Sequence, residues 1–387
     1  MSKRSVFFLL LRVTRLVLKA FEFLIGLFYA KDRIDDKYVS VNSLQRIWTV
    51  EYGIWEKNRN KFLPKARLRV CPSCGANDYI PLWNSEDGYR YVQCRKCDFV
   101  YVTPFVSYKM WRSYFKHFSK DAELVNRQVI DSRFSEDFLK GDRDRFTYYL
   151  RLLRKFKSEG SVLDVGCLTG SFLKFSRELG YQPLGVEYRP YAIEAARKHF
   201  GIEMIRGFFE EVAPGMIQRH QLFDIITFWE TLEHMLYPAS ALKFCNKLLR
   251  PGGLVAITVP NFDNLQVKLL KERCFHCIGG AGNAGHINMF TPSTLERMLS
   301  ENGFEMELME TEGSSSYYDI MLYLSGRYDL IYSYGNTLLS PRGKPSAEPY
   351  FFQPAITNFL LSLSPVFHVL ESASMKGAII LAIARKK

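Results

Sequence analysis

From Ser161 onward, short apolar runs alternate with amphipathic segments in a strict order, and this constrains the fold more than any other feature of the chain. Val162–Val165 is a buried-strand run, Ser171–Leu179 a helix stopped by Gly180, and Pro183–Val186 a second strand ending at Glu187. Tyr191–His199 is helical, Leu222–Phe228 a third strand, and Ala239–Leu249 a helix. Pro251-Gly-Gly253 then turns into a strand over Leu254–Val259. Repeated strand–helix units give a parallel sheet covered on both faces, with the ligand beyond the carboxyl ends of its strands. Gly166 and Gly170 bracket the first such end, where backbone must approach a ligand closely. Leu168 stands where a dinucleotide fingerprint needs its middle glycine, which disfavours pyrophosphate. Glu187 ends the second strand, 21 residues after Gly166, and an acid there can accept hydrogen bonds from both ribose hydroxyls.

A second pattern precedes the alternating region. Cys71-Pro-Ser-Cys74 and Cys94-Arg-Lys-Cys97 are separated by 19 residues. Two such knuckles supply the four thiolates of a tetrahedral Zn²⁺ site, joined by a hairpin with strands over 88–93 and 99–102. Four cysteine ligands leave no open position, so this zinc is predicted to be structural and to stabilise a module too small for a core of its own.

Charge is unevenly placed. Of a net +12, most resides in residues 1–70, where 15 Lys and Arg face six Asp and Glu. Ser5–Ala30 reads as a helix with a thin basic stripe (Arg4, Arg12, Arg15, Lys19) and a wide apolar face. Those interrupting charges argue against a membrane span and against a cleaved leader. The helix suits an anionic membrane interface, or burial against the chain's own apolar segments near 317–333 or 355–370. The balance of 47% apolar and 24% charged residues excludes a disordered or fibrous chain, and eight cysteines in 387 residues exclude a disulfide scaffold.

Several segments together resemble class I S-adenosylmethionine-dependent methyltransferases. Leu163-Asp-Val-Gly-Cys-Leu-Thr-Gly170 is similar to their first motif, and Phe223-Asp-Ile-Ile226 with Glu230-Thr-Leu-Glu-His234 to their fourth-strand motif. Leu248-Leu-Arg-Pro-Gly-Gly253, Val259-Pro-Asn261, His286–Pro292 and Asn302-Gly-Phe304 follow in family order. The resemblance implies an α/β, Rossmann-like sheet with helices on both faces, preceded by the small zinc ribbon and the amphipathic N-terminal helix. It implies S-adenosylmethionine as cofactor, with Asp164, Gly166 and Gly170 near its methionine part and Glu187 on its ribose. Leu168 departs from the pattern, as does Phe208, which stands near the place of an acid that faces adenine. The ribbon ahead of such a domain is similar to methyltransferases of sugar and surface-polysaccharide pathways.

The implied organisation is a basic helix (1–30), a helical linker (31–69), the ribbon (70–103), a helical connector (104–150) and the methyltransferase domain (151–312). An aromatic, apolar insertion (313–375) and a last strand of the sheet (376–387) follow. Methyl transfer from a sulfonium is an in-line displacement, and a hydroxyl acceptor benefits from a general base. His234 has the intrinsic pKa for that task, with Glu230 and Glu233 orienting it or the substrate and His286 lining the acceptor side. The other reading of Glu233–His234 is a cap on the helix after the fourth strand. Cys274-Phe-His-Cys277 reads as a packing loop, or with His286 as a second metal site. Gly279–Gly285 reads as a lid. These features predict a cytoplasmic enzyme, peripheral on the inner membrane face, that methylates a nucleotide-linked or lipid-linked sugar. RNA methylation, lipid or quinone methylation and an inactive scaffold are the alternatives.

Overall fold

The computed structural model describes residues 66–84, 90–110, 127, 130–264, 267–268, 286–312 and 371–387. The N-terminal helix, most of the linker, Cys274–Cys277, Gly279–Gly285 and most of the insertion lie outside these described residues. Among the described residues no helix is long and apolar enough to cross a membrane.

Two sheets form. The smaller holds β1 (Tyr79–Asn84), β2 (Arg90–Cys94) and β3 (Val100–Val102), with β1–β2 and β2–β3 antiparallel. Upstream, Arg67 pairs with Phe105 in an antiparallel bridge, so the end of the expected helical linker runs extended beside the ribbon. Helix α1 (Glu136–Arg154) starts at Ser135, whose side chain accepts from the Phe138 N–H, and runs through the expected connector boundary at 150.

The larger sheet has seven strands. In chain order the elements are β4 (Ser161–Val165), α2 (Ser171–Glu178), β5 (Gln182–Glu187), α3 (Pro190–Phe200), β6 (Met204–Arg206) and α4 (Phe209–Gln218). Then come β7 (Phe223–Trp229), a 3₁₀ turn (Leu232–His234), α5 (Pro238–Leu248) and β8 (Leu249–Pro260). A short β9 (Asn288–Met289), α6 (Pro292–Glu301), β10 (Phe304–Glu312) and β11 (Ile379–Lys386) complete the chain. The spatial order is β10-β11-β8-β7-β4-β5-β6. The five strands from β4 to β8 are parallel, and β11 pairs antiparallel to both β8 and β10.

Neighbouring residues of the central strands point to opposite faces, and both faces are buried, as a parallel sheet requires. Val162, Ile225, Leu254 and Ala256 pack under α1 and α2. Leu163, Ile226, Val255 and Ile257 pack under α4, α5 and α6. This is the helix-covered, Rossmann-like α/β sheet that the sequence pattern implied.

The two sheets are not independent. Strand β9, from the methyltransferase-like region, adds to β3 as the fourth strand of the ribbon sheet. Cys71, Val92, Cys94, Phe99 and Tyr101 share one core with Phe290, Leu295 and Met298. The ribbon therefore has the core that a self-standing module of its size would lack, borrowed from β9 and α6.

Candidate active site and cysteine cluster

The turn after β4 is shaped by its left-handed residues. Gly166 has φ +74°, and a Cβ there would sit 2.7 Å from the Thr231 side chain. Glycine at this position lets the first strand end touch the segment after β7. Leu168 takes φ +47°, a conformation costly to a branched side chain, and Glu230 takes φ +50°. Both strained residues lie at carboxyl ends of parallel strands.

Asp164 is buried in β4 and accepts from Thr227 Oγ1 across the β4–β7 pair at 2.7 Å. Burial pushes its carboxyl up to about 8, against the lowering effect of that hydrogen bond. Glu187 closes β5 and is 2% exposed. Its Oε1 accepts from the N–H groups of Tyr188 and Arg189, and its Oε2 from Leu168 N–H at 3.0 Å. The carboxylate is thus locked by its own loop and by the strained turn, and Oε2 keeps spare acceptor capacity. Next to it, Tyr188 stacks on Phe208 with ring centroids 4.8 Å apart and planes within 8°. Gly170, the αL N-cap of α2, completes the turn.

The acceptor-side residues gather after β7. Trp229 is anchored in an aromatic cluster, stacked on Tyr149 at 4.8 Å and edge-on to Phe172. Glu230 N–H donates to both the carbonyl and Oγ1 of Thr258. Burial pushes the Glu230 carboxyl up to about 7. Glu233 is 1% exposed, and neither carboxylate oxygen has a hydrogen-bond partner. Burial first, and Glu230 second, raise its pKa well above the ordinary range. Its Oε1 lies 3.6 Å from His234 Nε2 and 3.8 Å from His286 Nε2. The two imidazole centroids are 5.0 Å apart. The helix after β7, α5, has Tyr237 as its N-cap and receives no side-chain cap.

His286 reaches Glu233 because β9 is tied to the 3₁₀ turn. Ile287 N–H and the Asn288 side-chain amide both donate to the Glu233 carbonyl, and the same amide donates to the Met235 carbonyl at 2.6 Å. Arg69 fastens this junction from the ribbon side. Its guanidinium donates to the carbonyls of Ile287 and Leu236 and to Asn288 Oδ1. The sequence reading missed Arg69, Asn288 and Trp229. Only Asn288 carried a signal, its place in the His286–Pro292 motif.

The four expected zinc ligands converge. Cys71 and Cys97 Sγ atoms are 3.5 Å apart, Cys74 and Cys94 3.6 Å, and all four lie within 4.8 Å of one another. Tetrahedral zinc with bonds of about 2.3 Å spaces sulfurs by about 3.8 Å, so the donors fit. Burial pushes the Cys71 thiol far up and the Cys97 thiol up to about 11. Zinc among the four sulfurs would stabilise their thiolate forms, in a purely structural role.

Residues 140–308 match the family model described as a methyltransferase domain. A ubiquinone biosynthesis O-methyltransferase from Nitrosococcus oceani is 28% identical over 156 residues, which cover 38% of this chain and 64% of that protein. One from Idiomarina loihiensis is 31% identical over 37% of this chain and 61% of that protein. The chain thus spans under two thirds of the length of these relatives. A crystal structure of a SAM-dependent methyltransferase from Archaeoglobus fulgidus has a TM-score of 0.40 and 17% identity, covering 65% of this chain and all of that one.

For Glu187→Ala, donor affinity measured by calorimetry below the melting transition is expected to fall at least tenfold, and the melting temperature to fall as well, because the N–H groups of Leu168, Tyr188 and Arg189 lose their acceptor. Loss of one charge-assisted hydrogen bond corresponds to about 1.5–3 kcal/mol. Unaltered affinity would remove Glu187 from the ribose.

Proposed function

We propose that the chain is an S-adenosylmethionine-dependent O-methyltransferase acting on a ring hydroxyl of a small, quinone-precursor-like acceptor. One observation carries this reading: Glu233, His234 and His286 cluster just after Thr231, which lies against Gly166 in the turn after β4, at the mouth of the sheet. Bound there, the donor supplies an electrophilic methyl on a sulfonium. Asp164 and Glu187 hold its two ends, as the resemblance implies. The Tyr188–Phe208 pair offers a flat aromatic wall to the purine in place of the acid usually found near 208. The acceptor hydroxyl loses its proton at the Glu233–His234–His286 cluster, and Glu230 orients it from the other side.

The curated relatives support a ring hydroxyl over the sugar that the ribbon and methyltransferase pattern suggested. The basic segment 1–30 fits a lipophilic acceptor drawn from a membrane surface as readily as it fits RNA.

The test is mass spectrometry of the zinc-loaded full chain with donor and a panel of acceptors: dihydroxylated polyprenyl-benzenes, nucleotide sugars, lipid-linked sugars and RNA. Gain of one methyl on a ring oxygen is expected. Methylation confined to a sugar or to RNA would overturn the reading.

A further inference from the structure

We propose that Glu233, His234 and His286 form a second metal centre, a site for a divalent transition cation such as Zn²⁺ or Mn²⁺, separate from the four cysteines. The donor atoms come from two chain segments, the 3₁₀ turn and the residue before β9, and all lie within 4.8 Å of one another. Oε1 of Glu233 is 3.6 and 3.8 Å from the two Nε2 atoms. Ligands bonded at about 2.0–2.2 Å to one cation sit about 3–3.5 Å apart, so the carboxylate is within a few tenths of an ångström of ligand spacing from each ring.

The second observation is independent of this spacing. Glu233 is almost wholly enclosed, yet both of its oxygens are without a hydrogen-bond partner. A buried carboxyl group with no hydrogen-bond partner is costly, and the groups facing this one are two imidazoles, both of a type that ligates metals. A cation held by all three supplies the partner that the carboxylate lacks. Two imidazoles and one carboxylate suit zinc, manganese or iron, and three protein ligands leave positions open. The backbone is prepared for this: the Glu233 carbonyl is held by Ile287 N–H and the Asn288 amide, and Asn288 is held in turn by Arg69. His234 is a third exposed and His286 less so, which leaves an approach for an acceptor from the side of the rings.

The chemistry deepens the function proposed above and rests on it, whereas cation binding itself does not. An acceptor with adjacent oxygens can fill two open positions. Its hydroxyl then gives its proton to water, and the oxygen forms a bond to the methyl carbon. The carbon–sulfur bond breaks with its electron pair remaining on sulfur, leaving a neutral thioether. In this arrangement His234 serves as a ligand, and lowering the hydroxyl pKa replaces a free imidazole base.

The experiment is a Mn²⁺ titration of the full chain with zinc already in the ribbon, followed by electron paramagnetic resonance of free Mn²⁺. One Mn²⁺ per chain is expected, displaced by added Zn²⁺. His286→Ala and Glu233→Gln should each weaken it at least tenfold, while zinc content stays at one per chain and donor calorimetry is unchanged. Those two controls show that the variants are folded. Wild-type protein that takes up neither Mn²⁺ nor a second Zn²⁺, or takes it up as well after both substitutions, overturns the proposal. Donor binding lost with Mn²⁺ uptake intact would sink the methyltransferase reading alone.

Discussion

Glu233→Gln is expected to turn over about 10²–10⁴-fold more slowly than wild type while melting at the same temperature or higher. The rate effect is the size of losing a positioned acid–base or cation-ligating group. The stability effect has the opposite sign from that of an ordinary core substitution. Glu233 is enclosed by Leu232, Met235 and the β9 junction, and its carboxylate oxygens accept no hydrogen bond. An unpartnered buried polar group costs about 1–3 kcal/mol, more when charged. Glutamine keeps the shape and removes a carboxyl group that the fold holds without a partner, so the fold loses nothing that supported it. The backbone contacts from Ile287 and Asn288 go to the Glu233 carbonyl and survive the change. Calorimetric melting with zinc in the ribbon and no other divalent ion added, paired with steady-state rates, separates the possibilities. A fall in melting temperature of more than about 10 °C with a proportionate loss of rate would mark Glu233 as structural. Full turnover would remove the cluster from the reaction.

The same residues show what a sequence can and cannot reveal. The parallel sheet was legible because its strands are buried on both faces, so that Val162–Val165 and Leu222–Phe228 read as unbroken apolar runs. The cysteine cluster was legible because two identical knuckles specify one coordination geometry. Glu233, His234 and His286 were each picked out, but their meeting was not. It depends on β9 leaving the domain to pair with β3, and a two-residue strand has no periodicity to read. For the same reason the ribbon was expected to stand apart, and Arg69 went unnoticed. An arginine two residues before a zinc ligand has no motif, and only the fold shows that its guanidinium ends on Ile287, Leu236 and Asn288. Leu168 and Phe208 were read as departures from the family. In the fold, Leu168 N–H holds Glu187 and Phe208 stacks on Tyr188, so both adjoin the carboxylate proposed to hold the donor.

Breaking the cysteine cluster should therefore disable the acceptor side and spare the donor side. Cys94→Ser removes one of four ligands, and structural zinc supplies on the order of 10 kcal/mol to modules that depend on it. Only part of that is lost here, since β9 and α6 also support the ribbon. A loss of about 5 kcal/mol corresponds to a fall of about 10–20 °C in melting temperature. The route to the active site is explicit. Phe99 packs edge-on against Phe290 at 5.1 Å, Val102 N–H donates to the Ile287 carbonyl, and Arg297 donates to the Cys97 carbonyl. When the knuckles open, β9 loses its partner strand, and His286 loses the registration that places it on Glu233. Asp164 and Glu187 are held instead by Thr227 and by the loops after β4 and β5. Donor affinity of Cys94→Ser, measured below its melting temperature, should stay within about threefold of wild type, while methyl transfer falls at least a hundredfold. A zinc-free variant that methylates at the wild-type rate would show that the ribbon and the acceptor site are uncoupled. Equal loss of donor binding would show instead that the zinc supports the whole domain, and that the link through Arg69 and β9 carries no particular burden.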